Sequence, residues 1–265
     1  MWVRGRAALL GGVPSGTVLR VTTAPQWLKR YLEGEHEVVW HELRRLGARV
    51  REPAFAPEAQ AVCDEMARRA RSNIELMVER LVQQGYRFHE NDEARAPAQP
   101  LTGPVADADG FVAWMEQTFG PVPMVVSSWV RIVGDVWLVG THPAWDTSAA
   151  ADPLVVEVAG TRYAGHDIRP YLQDELESWR ETAEGRPFQL PVAPDHLHKN
   201  NISGGPPYGI ELPDACADAH IVTDTGMPFV SYLRSVFEHG GFPRWSGDDR
   251  QWAVTRSLAD GLKPV

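Results

Sequence analysis

The sequence predicts an α+β protein in which helices pack on one face of a mostly antiparallel sheet, with a helical N-terminal extension. Apolar residues at helical spacing dominate the first 97 residues. Beyond them, short apolar runs alternate with long polar connections, which is typical of short strands. Because strands and helices do not alternate regularly in this second part, we do not expect a doubly wound parallel sheet.

Three helices are predicted in the mostly helical N-terminal region, residues 1–97, after a short strand at Val18–Val21. The first begins at Pro25, because proline favours the first turn of a helix. The second spans residues 35–46 and is followed by a glycine, and the third spans residues 57–85. The apolar residues of the third helix recur at spacings of three or four and form one stripe, made of Val62, Met66, Ala70, Ile74, Val78 and Leu81.

A stretch rich in alanine, proline and acidic residues, 91–105, separates the two parts of the chain and shows no periodicity. Such a composition is typical of a linker. We therefore place a domain boundary here and assign residues 98–265 to an α+β domain.

Helices and short strands are both predicted in this domain. Asp107 is a suitable N-cap for its first helix, and Pro123 is a suitable first residue for the second. Further helices are expected at residues 167–181 and 228–238, and the tail from Ser246 is weakly helical. Strands are expected in the apolar runs 136–139, 154–158, 188–192, 209–212 and 219–222.

The charge and cysteine content restrict the classes of partner and compartment. The 265 residues carry a formal net charge of −9, which argues against direct binding to nucleic acid and favours a basic partner. No run reaches the roughly 20 apolar residues of a membrane span. Two cysteines without a Cys-x-x-Cys pair favour a reducing compartment, so we expect a cytoplasmic protein. The short apolar stretch 7–13 leaves a signal peptide as the alternative.

Residues 107–140 contain an ordered series of motifs: a helix, a proline-containing turn, a helix with a tryptophan, a glycine turn and an apolar strand. The first turn is Pro121-Val122-Pro123, the tryptophan lies in Ser128-Trp129, and the glycine turn is Val133-Gly134-Asp135. This order resembles the SUKH superfamily, which includes a yeast cell-wall-synthesis regulator and many bacterial immunity proteins. That family has a glycine pair at the second turn, where this chain has one glycine followed by Asp135.

The resemblance implies an α+β fold and a protein-binding function, with no catalytic residues shared across the family. Its bacterial members look like proteins that bind toxins, often nucleases, and block them. An acidic chain suits such a partner, because complementary charge speeds the encounter of two proteins.

The densest group of polar residues is the run Ala193–Gly209. A structural interpretation is that asparagine side chains cap a turn here, Gly204 and Gly205 supply positive φ, and Tyr208 anchors the loop on the core. A functional interpretation is that polar side chains of the run contact a ligand or partner. The candidate binding residues are Lys199, Asn200, Asn201 and Tyr208.

The alternative hypothesis is that residues of this run form a catalytic site. On a strand, His196 and His198 would point to the same side and could bind a divalent metal with Asp195, as in a metal-assisted hydrolase or transferase. A catalytic triad that includes Ser203 is not expected, because three residues of one short loop can hardly reach the required geometry. The backbone amides before Gly205 could instead hold an anion, as glycine-rich loops do.

A dense acidic strip, Asp174, Glu175 and Glu177, is predicted on the helix at residues 167–181 and suits a basic partner. We therefore expect a non-catalytic protein that binds a protein partner, with a basic toxin as the favoured class, and blocks it sterically. In this interpretation the chain uses neither a cofactor nor a bound metal.

Overall fold

The computed structural model describes residues 25–163 and 165–265 and begins with three helices. They are α1 (Trp27–Leu32), α2 (His36–Leu46) and α3 (Ala56–Gln83), with a 3-10 turn at Gly47–Arg51 before α3. The helical character predicted for the N-terminal region is therefore confirmed. The strand predicted at Val18–Val21 and the apolar stretch 7–13 lie outside the described residues.

Two further helices, α4 (Ala108–Phe119) and α5 (Met124–Ile132), lie where the capping residues predicted them. Oδ1 of Asp107 accepts a hydrogen bond from the backbone N–H three residues on at 3.0 Å, which caps α4. Helix α5 packs along α3. Its Trp129 is buried against Phe229, with ring centroids 5.5 Å apart, so the segment 107–140 contributes directly to the core.

The described strands are short and form three antiparallel sheets. They are β1 (Arg87–Phe88), β2 (Leu101–Thr102), β3 (Asp135–Trp137), β4 (Gly140–Thr141), β5 (Val155–Val156), β6 (Phe188–Ala193), β7 (Tyr208–Leu212), β8 (His220–Val222) and β9 (Gly226–Pro228). The strand orders are β1-β4, β2-β3-β5 and β6-β7-β8-β9. The α+β class and the antiparallel pairing are confirmed, but the strands form three separate sheets instead of the one that was expected.

The stretch 91–105, predicted to be a linker, contains strand β2. Leu101 pairs with Val136 of β3, and the N–H of Trp137 donates to the carbonyl oxygen of Pro100 at 2.9 Å. A strand of two residues is too short to show an alternating pattern in the sequence. The stretch is therefore tied to β3 at its C-terminal end.

Four more helices complete the described part of the chain. They are α6 (Arg169–Thr182), α7 (His196–Lys199), α8 (Phe229–Glu238) and α9 (Arg250–Ala259). Helix α7 lies in the run Ala193–Gly209, where the sequence predicted a loop, because four residues are too few to show helical periodicity. Among the described helices, none combines the length and apolar character needed to cross a membrane.

One hydrophobic core joins the N-terminal helices to the rest of the fold. Trp40 of α2 and Val136 of β3 are both fully buried and belong to the same connected cluster. A partly buried ion pair adds to this contact, since Nε of Arg44 lies 2.9 Å from Oδ2 of Asp218. The predicted boundary at residue 97 thus marks a change of secondary structure across which the packing continues.

Candidate functional site

A cavity of about 660 Å³ lies between the loop after β5, the start of α6 and the run Ala193–Gly209. Its walls are mainly apolar and aromatic, with a few polar groups. The lining residues include Tyr163, Ile168, Tyr171, Val192, Pro194 and His198. A cavity of this size with few polar groups is typical of a ligand-binding site.

The backbone of residues 158–161, which includes Gly160 of the cavity wall, is held by the buried carboxylate of Asp135, at the start of β3. Oδ1 accepts hydrogen bonds from the N–H groups of Val158 at 2.9 Å and Ala159 at 3.1 Å. Oδ2 accepts one from the N–H of Thr161 at 2.5 Å. Burial raises the pKa of Asp135, and the three amide donors oppose that rise. Asp135 therefore holds the backbone on one side of the cavity.

Gly134, directly before this carboxylate, is required by the close approach of two backbone segments. Its φ is +87°, and a Cβ there would lie 2.1 Å from the carbonyl oxygen of Thr102. Any larger residue would therefore push β3 away from β2.

Arg162 ties Glu157, which lines the cavity, into a network of ion pairs. Nε of Arg162 lies 2.7 Å from Oε1 of Glu157, and Nη1 pairs with Glu90. The guanidinium carbon lies 4.0 Å from the ring centroid of Trp137 and 4.8 Å from that of Tyr163. Burial raises the pKa of Glu157, while Arg162 opposes the rise. Glu157 is therefore already paired inside the protein.

Asp195 organises the run Ala193–Gly209 from the N-cap position of α7. Its Oδ1 accepts hydrogen bonds from the backbone N–H of His198 at 2.7 Å and from the ring Nδ1 at 2.8 Å. Its Oδ2 accepts one from the N–H of Gly205. Burial opposes ionisation, but these donors outweigh it, and the pKa of the Asp195 carboxyl lies below its usual value.

Gly204 and Gly205 do not have the positive φ that the sequence predicted. Positive φ in this run belongs to Asn201, at +54°. Glycine is needed at position 204 for space, because a Cβ there would lie 2.3 Å from Oδ2 of Asp195. The glycine pair therefore lets the backbone approach the carboxylate closely.

His198 contributes its imidazole to the cavity wall. Its side chain is 44% exposed, and Nδ1 is engaged by Asp195. Among the described residues, Nε2 has no hydrogen-bond partner. Because an ionised carboxylate can only accept, Nδ1 carries a hydrogen, and in the neutral form of the ring Nε2 presents an acceptor lone pair.

His196 does not form the expected metal-binding pair with His198. On the helical turn of α7 the two residues are separated by roughly 200° around the helix axis. The prediction that both side chains point to the same side, as they would on a strand, is therefore wrong. Nδ1 of His196 lies 3.4 Å from Oδ1 of Asp224, whose other oxygen is 2.8 Å from Nη1 of Arg244. Within the part of the chain that the structure describes, no group of three potential metal ligands converges.

Lys199 and Tyr208, expected to contact a ligand or partner, are buried inside the protein. Nζ of Lys199 lies 2.6 Å from Oδ1 of Asp152, and the lysine side chain has no exposed surface. The hydroxyl of Tyr208 donates to Oδ2 of the same carboxylate at 3.1 Å. Burial raises the pKa of Tyr208, and the charge of Asp152 raises it further. Neither side chain is accessible to a partner, and Tyr208 anchors the loop as the structural interpretation predicted.

Asn200 and Asn201 follow α7 and lie at or near the surface. Their side chains form no hydrogen bond within the described residues, so the side-chain capping that was expected is absent. The backbone N–H of Asn200 instead donates to the carbonyl oxygen of Leu197 at 3.0 Å. A different asparagine ties the turn down, since Nδ2 of Asn91 donates to the carbonyl oxygen of His198 at 2.9 Å.

The acidic strip lies on α6, beside the cavity. Tyr171 lines the cavity, and Asp174 and Glu175 follow it by three and four positions, which places all three on one helix face. Burial raises the pKa of Tyr171, and the negative charge of Glu175 adds to the rise. Glu177 is exposed on the adjoining face of the helix. The cavity thus continues into an acidic surface.

The sequence did not identify the residues on the β5–α6 side of the cavity. Tyr163 and Tyr171 are both about half exposed, and Arg162 is almost fully buried. The available signal was an arginine and a tyrosine next to a turn glycine, in the segment 159–163. An arginine and a tyrosine beside a glycine do not by themselves indicate a cavity, because the residues that form its other side are distant in the sequence.

No protein-family model, no curated protein and no solved structure matches this chain. Its function must therefore be argued from the chemistry of the site, since a fold by itself does not determine function. That chemistry is an apolar cavity, an acceptor nitrogen on His198 and an adjoining acidic helix face.

Proposed function

We propose that this chain is a non-catalytic binding protein that takes an apolar side chain of a basic protein partner into the cavity beside α6. The proposal is carried by the continuity between the cavity wall at Tyr171 and the carboxylates of Asp174 and Glu175. An apolar anchor flanked by lysine or arginine would complement both parts of this surface.

The cavity and the acidic strip contribute to binding in different ways. Fully burying one leucine or phenylalanine side chain contributes about 1.5–3 kcal/mol. The exposed carboxylates add less affinity, because water and salt screen them, but they accelerate the encounter with a basic partner. Added salt should therefore slow association more than it speeds dissociation.

The wider features of the chain support the same proposal. Residues 107–140 resemble the SUKH superfamily, whose bacterial members block toxins, and the net charge of −9 suits a basic toxin. The chain would then act sterically in a bacterial cytoplasm, with no residue performing chemistry and no cofactor. Asn200, Asn201 and Glu177 would belong to the outer part of the contact surface.

Fluorescence anisotropy with defined peptides tests this proposal. The probe is a short labelled peptide with a central leucine or aromatic residue flanked by lysines. Tyr171→Ala should weaken binding by about tenfold, equivalent to about 1.4 kcal/mol, because one wall of the cavity is lost. Asp174→Asn/Glu175→Gln should lower the association rate and reduce its dependence on salt.

A charge-matched variant controls for net charge. Glu33→Gln/Glu79→Gln makes the same change in net charge at two exposed positions, one directly after α1 and one in α3, neither of which lines the cavity. This control should bind the peptide as the wild type does. If no peptide binds the wild type, or if the control and the strip variant behave alike, the proposal is wrong.

A second candidate is a hydrolase or transferase at the same cavity, the chemical alternative raised by Asp195, His196 and His198. The hydrogen bond of 2.8 Å between Asp195 and His198 favours it, because a carboxylate-supported imidazole can take a proton from a nucleophile. His198 would be the general base and Asp195 its positioning residue. Turnover of a panel of nitrophenyl esters, with and without added zinc, tests this. A wild type with no turnover above His198→Gln would exclude such esters as substrates and count against this candidate.

A further inference from the structure

His198 lines the cavity, and its Nε2, the acceptor of the neutral ring, has no hydrogen-bond partner among the described residues. A partner side chain that fills the cavity would cover this nitrogen and remove the water that otherwise binds it. An acceptor that is covered without a donor weakens binding. The side chain that enters must therefore bring a hydrogen-bond donor to this point.

The donor should be a neutral group, because no carboxylate that is both buried and unpaired lies in the cavity wall among the described residues. Glu157 is paired with Arg162, and Asp167 is more than half exposed, with a guanidinium nitrogen of Arg169 3.8 Å away. Asp195 accepts hydrogen bonds from its own loop. An ammonium or guanidinium group buried here would lack an unpaired carboxylate to offset its desolvation.

The remaining wall suits an aromatic ring. Tyr163 and Tyr171 line the cavity together with Ile168, Val192 and Pro194. Rings that enter such a space gain from edge-to-face and offset contacts with the wall tyrosines in addition to the burial of apolar area. Serine or threonine could donate to His198 but would leave this apolar wall unfilled.

We infer that the partner's anchor residue is a tyrosine, whose ring fills the cavity and whose hydroxyl donates a hydrogen bond to Nε2 of His198. This inference rests on the proposed function and restricts the anchor residue of the partner from any apolar residue to tyrosine. Phenylalanine fills the same space but leaves the nitrogen covered and unpaired. A site that hydrogen-bonds a hydroxyl discriminates strongly against the analogue that lacks it.

Titration calorimetry of the full chain with four matched peptides tests the inference. The central residue is tyrosine, O-methyltyrosine, phenylalanine or leucine, with identical flanking lysines. The tyrosine peptide should bind about 5- to 50-fold more tightly than the phenylalanine and O-methyltyrosine peptides, because only it brings the donor. In His198→Leu this preference should vanish, since the acceptor is gone.

His196→Leu is the matched control, because it removes a histidine of the same short helix whose ring lies near Asp224. It should keep the preference for tyrosine. A readout that needs no substitution is the 15N resonance of Nε2 of His198 in the wild type. It should shift on addition of the tyrosine peptide and much less on addition of the phenylalanine peptide.

The possible results separate the inference from the proposed function. Equal affinity for tyrosine and phenylalanine, with binding still weakened by Tyr171→Ala, would overturn the tyrosine anchor and leave the binding function in place. Failure of all four peptides to bind would overturn both. A preference for tyrosine that survives in His198→Leu would assign the hydroxyl to a different acceptor and also overturn the inference.

Discussion

Nζ of Lys199 lies 2.6 Å from Oδ1 of Asp152, and the lysine side chain is completely buried. The hydroxyl of Tyr208 donates to the other carboxylate oxygen at 3.1 Å, and Nζ lies 4.8 Å from the centre of its ring. The pair thus connects the end of α7 to the start of β7 and to the 3-10 turn at Ser148–Ala151. It holds the run Ala193–Gly209 on the core and thereby positions the adjacent His198.

Replacing Lys199 by methionine should destabilise the protein strongly. Removing one partner of a buried ion pair costs about 3–5 kcal/mol, because the remaining charge is buried without compensation. Urea unfolding followed by tryptophan fluorescence measures the loss. Lys199→Met/Asp152→Asn should lose less than the sum of the single variants. A loss below about 1 kcal/mol for Lys199→Met would contradict a structural role for this pair.

Asp135→Ala should destabilise the protein and also weaken peptide binding. The substitution leaves three amide N–H groups beside the cavity wall without their acceptor. Each orphaned buried donor costs about 1–3 kcal/mol, and water that enters the emptied space satisfies part of the three, so we expect a net loss of about 2–4 kcal/mol. Calorimetric unfolding measures it. Asp109→Ala, at a highly exposed carboxylate, serves as the control and should change stability little.

Asp195→Asn should reduce the dependence of stability on acid pH. The pKa of the Asp195 carboxyl is lowered in the folded protein from its ordinary value of 3.8. The ionised group therefore stabilises the fold above that value, and the contribution disappears as the pH falls through the lowered pKa. In the variant this contribution is missing at every pH. Unfolding free energies measured between about pH 5 and about pH 2 should fall less steeply than in the wild type, and parallel curves would refute the assignment.

Asn73→Ala should loosen the docking of residues 263–265. Nδ2 and Oδ1 of Asn73 bond the backbone carbonyl and N–H of Lys263, both at 2.8 Å, and Val265 is 1% exposed. Losing both bonds should cost about 1–3 kcal/mol. Hydrogen exchange at the Lys263 amide should accelerate. Ser72→Ala, which removes only a contact with the exposed Lys263 ammonium group, should leave that exchange unchanged.

Long elements were predictable and very short ones were not. Helix α3 spans 28 residues, enough turns for its apolar stripe to be read without ambiguity. Strand β2 has two residues and lies in a proline-rich stretch, so nothing local distinguishes it from a linker. It exists because Leu101 faces Val136, a contact between positions far apart in the chain.

The sequence singled out the run that forms one wall of the cavity, but it did not predict the roles of most residues there. The run Ala193–Gly209 stood out through its density of polar groups. Whether His196 and His198 share a side depends on whether the backbone there is a strand or a helix. Asp195 decides this locally by capping a single helical turn, and four residues carry no periodic signal. Tyr163 and Tyr171 line the other side of the cavity, and no local sequence pattern connects them to the run.

The sequence by itself determined the α+β class, the helical N-terminal region, the N-cap of α4 at Asp107 and the acidic character of α6. These are properties of neighbouring residues, and hydrophobic spacing and capping chemistry encode them directly. Only the tertiary structure decided that Lys199 is buried on Asp152, that Asp135 supports a cavity wall, and that the wall tyrosines, His198 and the acidic strip belong to one surface. Those features depend on contacts between segments that are far apart in the sequence. Whether a charged side chain is buried, or two backbone segments approach closely, is decided by the residues that the fold places against them.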